Sequence, residues 1–356
     1  MASNEYDIIP ILLRFSNWRR SSTERQQLKG YKMRERNILE VYTFNFLPCA
    51  LTSTLLAPLN RLKVILQIQS MIPGLAENKK LSLTEVIKTI KKDQGYLSLF
   101  KGNLAYTFKI FSQITSKTIL IDRFKNKANE TKTFIELFKY RILGANFFID
   151  LFTAFFASIV TLTLSYPLEL AYTRLAGLYS VDQSAKFKFE YKSIKQALHN
   201  IEYNAEAGNT RQNAIKLWFD RNYHGFSLAF LQSIIFSTVS FTGYQILFRL
   251  QNNNQATNNS SKFDKYMIAM GGSAIIAITS SVFCYPIDTI KRIYQVNGAK
   301  GYRLKYRNPE DVIKEFKVNG IQRFYSGFSL YLMRNIPFSY IQYMIFQSLS
   351  SHLTKS

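Results

Sequence analysis

Little in this chain suits covalent or metal chemistry. Among 356 residues there are two cysteines and three histidines. Cys49 and Cys284 both sit in apolar stretches, which excludes a disulfide framework and offers no metal-ligand spacing, and the histidines are scattered. Acid is scarce as well: 23 Asp and Glu stand against 46 Lys and Arg, a formal net charge of +23. A basic excess of that size raises nucleic acid as a partner, but no zinc pattern, RNA-recognition signature or basic helix with base-reading spacing accompanies it. The basic residues bracket apolar segments instead, which fits anionic lipid head groups and an anionic substrate. Long uninterrupted hydrophobic runs are also missing, and the mean hydropathy is -0.08. Composition alone therefore favours a soluble helical protein. Helices that line a wet cavity carry one polar face each, however, and depress the average in the same way without leaving a bilayer.

What the chain does have is one phrase written three times: Ala57-Pro58-Leu59-Asn60-Arg61-Leu62-Lys63, Tyr166-Pro167-Leu168-Glu169-Leu170-Ala171-Tyr172 and Tyr285-Pro286-Ile287-Asp288-Thr289-Ile290-Lys291. Each copy ends an apolar stretch, and each is followed by an aromatic, a polar residue and Gly. Three related blocks of apolar segments mark a transporter architecture, in which the repeat axis locates the binding site. We divide the chain into a basic arm (1–39) and repeats at 40–126, 127–252 and 253–356. The arm holds Arg14, Arg19, Arg20, Arg25, Lys29, Lys32, Arg34 and Arg36. With Glu5 and Asp7 early and no cleavage pattern after it, the arm reads as retained rather than as a transit peptide.

Apolar helical segments fall at about 40–68, 103–125, 143–174, 226–250, 265–295 and 328–351, two per repeat. The expected fold class is an all-α membrane protein with six transmembrane helices in three pseudo-threefold repeats. The second segment carries Lys109, Ser112, Gln113, Ser116 and Lys117, so a strict apolar window underrates it. Proline inside a helix removes a backbone bond and kinks the rod; three kinked helices about an axis would close a funnel. Between the spans lie polar stretches with a short amphipathic helix, such as Leu83 to Lys92, with Val86, Ile87 and Ile90 on one face. The second repeat has a longer connector, about 175–222, and the Asn-rich run Asn252 to Ser261 reads as a loop.

At the floor of such a funnel, the residues two and five after each proline point toward the neighbouring repeats: Asn60 and Lys63, Glu169 and Tyr172, Asp288 and Lys291, an acid and a base in the complete pattern. Three copies in register of a Pro-x-acid-x-x-base pattern, complete in the third, the first followed by Gln94-Gly95-Tyr96-Leu97-Ser98-Leu99-Phe100-Lys101-Gly102-Asn103-Leu104-Ala105, resemble the mitochondrial carrier family. Within it, Gly102-Asn103-Leu104-Ala105 and the Ala-Pro start are most similar to ADP/ATP carriers. The resemblance covers about residues 40–351. It implies an inner-membrane, multi-pass carrier with both termini toward the intermembrane space, no covalent chemistry and hence no enzyme, no cofactor, and cardiolipin as a bound lipid.

Carried over by position, the resemblance implies a matrix gate in which Glu169 meets Lys291 and Asp288 meets Lys63. The third pair would be Asn60 with Tyr172, neither charged at neutral pH. Paired loss of acid and base avoids stranding a buried charge, and a neutral hydrogen bond in its place contributes about 1 kcal/mol. Gln67 and Gln295 match the braces that hydrogen-bond across the neighbouring pair. The opposite, cytoplasmic latch is poorer: the matching places read Ile121-Asp122 with Lys125, Tyr244-Gln245 with Phe248 and Phe346-Gln347 with Ser350. Lys109, Arg292 and Arg334 occupy positions for substrate phosphates and have the right chemistry for a polyanion. Ser53, which stands where nucleotide exchangers carry lysine, and Gln232-Ser233, which replaces a Gly-aliphatic pair, are by position further solute-binding candidates, and Ser237 replaces another arginine. The Arg-Arg-Arg-Met-Met-Met signature is represented by Lys291-Arg292-Ile293-Tyr294-Gln295-Val296. Tyr172 and Phe236 read as packing residues. Lys101-Gly102, His224-Gly225 and Ser326-Gly327 open even-numbered helices whose amides attract phosphate, so Lys101, Gly102, Gly225 and Gly327 are the lipid-binding candidates.

Two functions from different classes follow: an ADP/ATP-carrier-like exchanger of an anionic, nucleotide-type solute, or a transport-degenerate carrier fold serving as a structural subunit of a large inner-membrane assembly such as a respiratory complex.

Overall fold

The computed structural model describes residues 38–72, 75, 81–130, 145–179, 193–199, 218–219, 222–257, 262–299, 302, 304–335, 337–338 and 341. Within them the chain is helical, with no β-strand. In order the helices are α1 (Ile38–Leu55), α2 (Ala57–Gln67), α3 (Leu83–Gln94), α4 (Asn103–Glu130), α5 (Ala145–Ala176), α6 (Ile194–His199), α7 (Phe226–Thr257), α8 (Lys262–Val296) and α9 (Pro309–Asn319), followed by α10 over 328–335. The basic arm lies outside the described residues.

Two stretches, Phe155–Ala176 and Gly271–Val296, are long and apolar enough to cross a membrane; the bent pair formed by α1 and α2 makes a third if it is one span. α4 falls short of a simple apolar test because it carries Lys109, Gln113 and Lys117. The end of the sixth expected segment lies outside the described residues.

The three prolines do not act alike. At Pro58 the helix breaks at Leu56 and bends by 63° between α1 and α2. Pro58 sits in the first turn of α2, where its missing N–H costs nothing. Pro167 and Pro286 instead lie inside continuous helices, α5 and α8. The helix is thus broken at the first of the three prolines and runs on through the other two. The preceding residue differs: the Tyr166 hydroxyl donates to the His224 carbonyl at 2.6 Å and the Tyr285 hydroxyl to the Ser326 carbonyl at 2.8 Å. These bonds anchor α5 and α8 beside their prolines, whereas Ala57 has no such arm.

The turns that open α4, α7 and α10 repeat with equal fidelity. Gly102, Gly225 and Gly327 have φ of 84°, 79° and 77°, a left-handed backbone that disfavours a side chain. Each lies against a helix of the next repeat: Gly102 against Tyr172 and Ala176, Gly225 against Tyr294 and Gln295, Gly327 against Lys63 and Leu66. The contacts run one to two, two to three and three to one, which is the closed threefold arrangement read from the sequence.

The core sits where α2 and the C-terminal halves of α5 and α8 converge. Val64, Ile68, Tyr172, Ala176, Ile290, Ile293 and Val296 are all buried in one cluster, and each large side chain removed from solvent stabilises by roughly 1.5–3 kcal/mol. Beside it, α3 starts with a capping box in which Glu85 N–H donates to Ser82 Oγ and Ser82 N–H to Glu85. Val86 and Ile90 are buried as the spacing predicts, but Ile87 is 37% exposed: it lies about 100° around the helix from Val86 and faces away from the core.

Candidate solute site and gate

Five cations and two carboxylates converge on one central cavity. It has a volume of about 270 Å³, and its walls include Asn60, Lys63, Lys109, Glu169, Tyr172, Asp288, Lys291, Arg292 and Arg334, with Gln232, Ser233 and Phe236 from α7. The helical register after each proline delivers Asn60, Lys63, Glu169, Tyr172, Asp288 and Lys291, because residues two and five after the proline lie on nearby faces, while Lys109, Arg334 and the α7 residues come from the helices that follow the Gly102, Gly225 and Gly327 turns.

Two of the three expected gate pairs are together. Lys63 Nζ lies 2.8 Å from Asp288 Oδ2, and Lys291 Nζ lies 2.7 Å from Glu169 Oε1. Gln67 Nε2 donates to Asp288 Oδ2 at 3.0 Å, across the repeat one to repeat three boundary. The rings of Tyr285 and Tyr331 also lie beside the Lys63 ammonium, at 5.5 and 4.7 Å.

The third pair is not joined. Among the described residues no hydrogen bond links Asn60 to Tyr172, and Asn60 Nδ2 is buried without a partner. Tyr172 packs instead on Tyr106, with centroids 4.8 Å apart, and the Arg292 guanidinium lies 5.7 Å from its ring. The expected neutral hydrogen bond is replaced by aromatic packing. The second brace also differs: Gln295 Nε2 donates to Tyr166 Oη at 3.2 Å, and its Oε1 accepts from Thr173 Oγ1 at 2.7 Å, so it spans the boundary without reaching Glu169.

The cations expected to meet a solute are unequally engaged. Lys109 Nζ lies 3.2 Å from Glu169 Oε2; Arg292 lies 3.2 Å from Glu169 Oε1 and 3.7 Å from Asp288 Oδ1. Both therefore belong to the gate network as it stands. Arg334 does not: it donates to Tyr106 Oη and to Asn335 Oδ1 at 2.6 Å, and lies over the rings of Tyr106 and Phe338. Among the described residues it has no carboxylate partner. Gln232 is a gate residue as much as a cavity residue, accepting from Lys291 Nζ at 2.6 Å and donating to Asp288 Oδ1 at 3.4 Å.

Ser53 does not reach the cavity. It is fully buried, and its hydroxyl lies 2.5 Å from Thr107 Oγ1 and 3.2 Å from the Ala50 carbonyl, joining α1 to α4. Its role is a contact between helices. Ser237 is not among the cavity residues, whereas Phe236 is. The side chains of the cytoplasmic-latch positions Ile121, Asp122, Lys125, Tyr244, Gln245, Phe248, Phe346, Gln347 and Ser350 lie outside the described residues. Lys101, beside Gly102, is half-buried; at the equivalent place in repeat two, His224 stacks on Tyr294 at 4.5 Å, and burial followed by the charge of Arg174 lowers its pKa to about 4.

Arg61 and Arg174 were not visible as candidates in the sequence, yet both are fully buried. Arg61 donates to the Ala176 and Leu178 carbonyls of repeat two at 3.2 and 2.9 Å, to the Ser98 carbonyl, and to Gln94 Oε1 at 2.7 Å. Arg174 donates to the Gln295 carbonyl at 3.2 Å and to Ala197 at 2.9 Å. Each ties the end of one helix to its neighbour. An arginine inside an apolar run, such as Leu59 to Leu66, was the signal available.

Comparison with known proteins agrees with this architecture. A family model described as mitochondrial carrier protein matches residues 35–132 and 263–356. ADP/ATP translocase 3 of Sus scrofa is 27% identical over 282 residues, covering 78% of this chain and 85% of the relative. ADP/ATP translocase 2 of Tachyglossus aculeatus aculeatus is 26% identical with the same coverage. Mitochondrial substrate carrier family protein ancA of Dictyostelium discoideum is 24% identical over 252 residues, 68% of this chain and 70% of the relative.

Proposed function

The chain belongs to the mitochondrial carrier family, and from that premise we propose that it exchanges an anionic, nucleotide-type solute across the mitochondrial inner membrane. It is a carrier-type protein and not an enzyme. The observation that carries the reading is the charge of the cavity wall, where Lys63, Lys109, Lys291, Arg292 and Arg334 face only Glu169 and Asp288. A polyanion would relieve that excess, and guanidinium and ammonium groups suit phosphate or carboxylate. Arg334, held on aromatic rings without an acid partner, receives the anion first. Lys109 and Arg292 then exchange Glu169 for the solute, and the gate opens as Glu169 loses its partners. Cardiolipin at the Gly102, Gly225 and Gly327 turns completes the proposal.

A second reading has its own support. Lys109 and Arg292 are both held by Glu169, and one gate pair has become Asn60 and Tyr172, which suits a carrier fold that no longer alternates and instead serves as a subunit of a large inner-membrane assembly. Heating the purified protein with ADP, ATP or citrate separates the two, because a ligand that binds only the native state raises Tm. The exchanger reading expects a rise that vanishes in the Lys109→Ala, Arg334→Ala variant. The subunit reading expects no rise, with comigration of the protein with a large complex on native gels of mild-detergent extracts.

A further inference from the structure

Beyond the gate ring the three repeats meet a second time, around the end of α5. Counted from the prolines, Ile68, Gly177 and Val296 are equivalent positions, eight residues past Asn60, Glu169 and Asp288, so at helical rise they lie about 12 Å further on. None of the three has a polar side chain. Ile68 and Val296 are buried in the central cluster, and Gly177 leaves a space where a side chain would stand: a Cβ there would come within 2.7 Å of Ile68 Cδ1 and 3.4 Å of Tyr302 Oη. Ile68 of repeat one and Tyr302 of repeat three thus fill the gap left by repeat two. Tyr302 is 5% exposed, and its hydroxyl donates to the Gly177 carbonyl. Arg61 holds the carbonyls on either side, Ala176 and Leu178. Three successive carbonyls at the end of α5 are therefore bound by side chains of the two other repeats.

Tyr302 is held in place from its own repeat. The buried Asn297 side chain accepts from the Lys305 and Tyr306 amides at 2.9 and 3.2 Å and donates to the Tyr306 carbonyl at 2.6 Å, which draws together the chain before and after Tyr302. Tyr306 Oη donates in turn to Glu315 Oε2 of α9 at 3.0 Å. Among the described residues the contacts of Tyr302 with Gly177 and Ile68 include no ion pair. An anion can replace a carboxylate on an ammonium or guanidinium, but it offers no substitute for apolar contact or for a hydroxyl on a buried carbonyl. A solute that draws Lys109 and Arg292 from Glu169 therefore leaves this layer shut. We propose that Tyr302, seated on Gly177 and Ile68, is a second closure of the matrix exit, so that passage requires both the ion-pair ring and this seat to open. The proposal rests on the exchanger reading for its purpose, while the seal itself is measurable without exchange.

Access to a cysteine in the cavity tests it. Ser233 lines the cavity and is half-buried, so Ser233→Cys serves as reporter; Cys284, which also lines the cavity, is changed to Ser, and Cys49 is fully buried. The protein is reconstituted into vesicles without solute, exposed to a membrane-impermeant maleimide from outside, quenched and cut with trypsin. Trypsin reaches the exposed Lys88 on α3 and Lys314 on α9 only where the connector face is outward. Label on cut chains then reports access from the matrix face, and label on uncut chains reports access from the opposite face and an intact fold. We expect cut chains to stay unlabelled with Tyr302→Ala alone and with the paired Lys63→Gln, Asp288→Asn ring variant alone, and to become labelled when the two are combined. Ile68→Ala, which opens the same seat from repeat one, should replace Tyr302→Ala in that combination. Labelling by the ring variant alone at the combined rate overturns the proposal, and so does protection of both combinations while their uncut chains label normally. Absence of nucleotide exchange by the same vesicles counts against the exchanger reading alone, leaving the access result to stand.

Discussion

The boundary between repeats one and two and the boundary between repeats three and one perform the same packing task with a different mix of contacts. Between repeats three and one the polar contacts are side chain to side chain: Lys63 and Gln67 engage Asp288, and Gln69 engages Ser326. Buried ion pairs contribute little net stability but are strongly felt when one partner is removed, which suits a reversible gate. Between repeats one and two the Lys109–Glu169 ion pair is accompanied by main-chain contacts, Arg61 on the Ala176 and Leu178 carbonyls, and by the packing of two tyrosine rings. The threefold repeat is thus kept in the backbone, while the polar contacts at the boundaries have diverged.

The largest effect that would break this comparison is loss of Glu169. Glu169→Gln leaves Lys109, Lys291 and Arg292 short of a carboxylate in a buried site, and should cost about 3–5 kcal/mol, read as a fall in the thermal midpoint of the detergent-solubilised protein. Asn60→Ala, at the corresponding ring position of repeat one, should lower it far less because no charge is stranded. Equal effects would mean the ring is not the source of the asymmetry.

Repairing the missing pair sharpens the contrast. Asn60→Glu alone introduces a carboxylate opposite a tyrosine, and Tyr172→Arg alone adds a cation to a wall already in excess. Together they should recover stability, with a coupling of about 1–3 kcal/mol in a double-mutant cycle; additive single effects would show that the two positions do not face each other. Arg61→Lys, which gives up the planar fork and leaves carbonyls unmatched, should cost about 1–3 kcal/mol. The mildest changes are Gly102→Ala, Gly225→Ala and Gly327→Ala, each placing a Cβ in a left-handed backbone at about 1–2 kcal/mol. Near-equal losses at the three glycines would support backbone symmetry, and a neutral result at any one would show that its turn relaxes.

Much of this was legible in the sequence because the repeated phrase fixes register. Once Pro58, Pro167 and Pro286 are aligned, the resemblance that the repeated phrase carries implies the pairing of Lys63 with Asp288 and of Lys291 with Glu169. What could not be read was how side chains with several options would choose. Lys109 and Arg292, placed with the solute by position, are drawn to Glu169 because it is one of only two acids in the cavity. Ser53 was misjudged because a short hydroxyl near a helix contact bonds locally to Ala50 and Thr107 rather than reaching inward. Arg61 was overlooked because its partners are main-chain carbonyls, which leave no trace in residue identity. That the helix breaks at Pro58 but runs on through Pro167 and Pro286 goes with tyrosine hydroxyl bonds of the second and third copies to carbonyls 58 and 41 positions away, tertiary contacts that local propensity does not encode.

The central claim is tested most directly by reconstituting the protein into cardiolipin-containing vesicles loaded with unlabelled ADP and following uptake of labelled ADP or ATP. The account predicts uptake that requires internal nucleotide and disappears in the Lys109→Ala, Arg334→Ala variant. No uptake of nucleotides or of smaller phosphates and carboxylates, by protein shown to be folded by its thermal transition, would contradict it and leave the subunit reading standing.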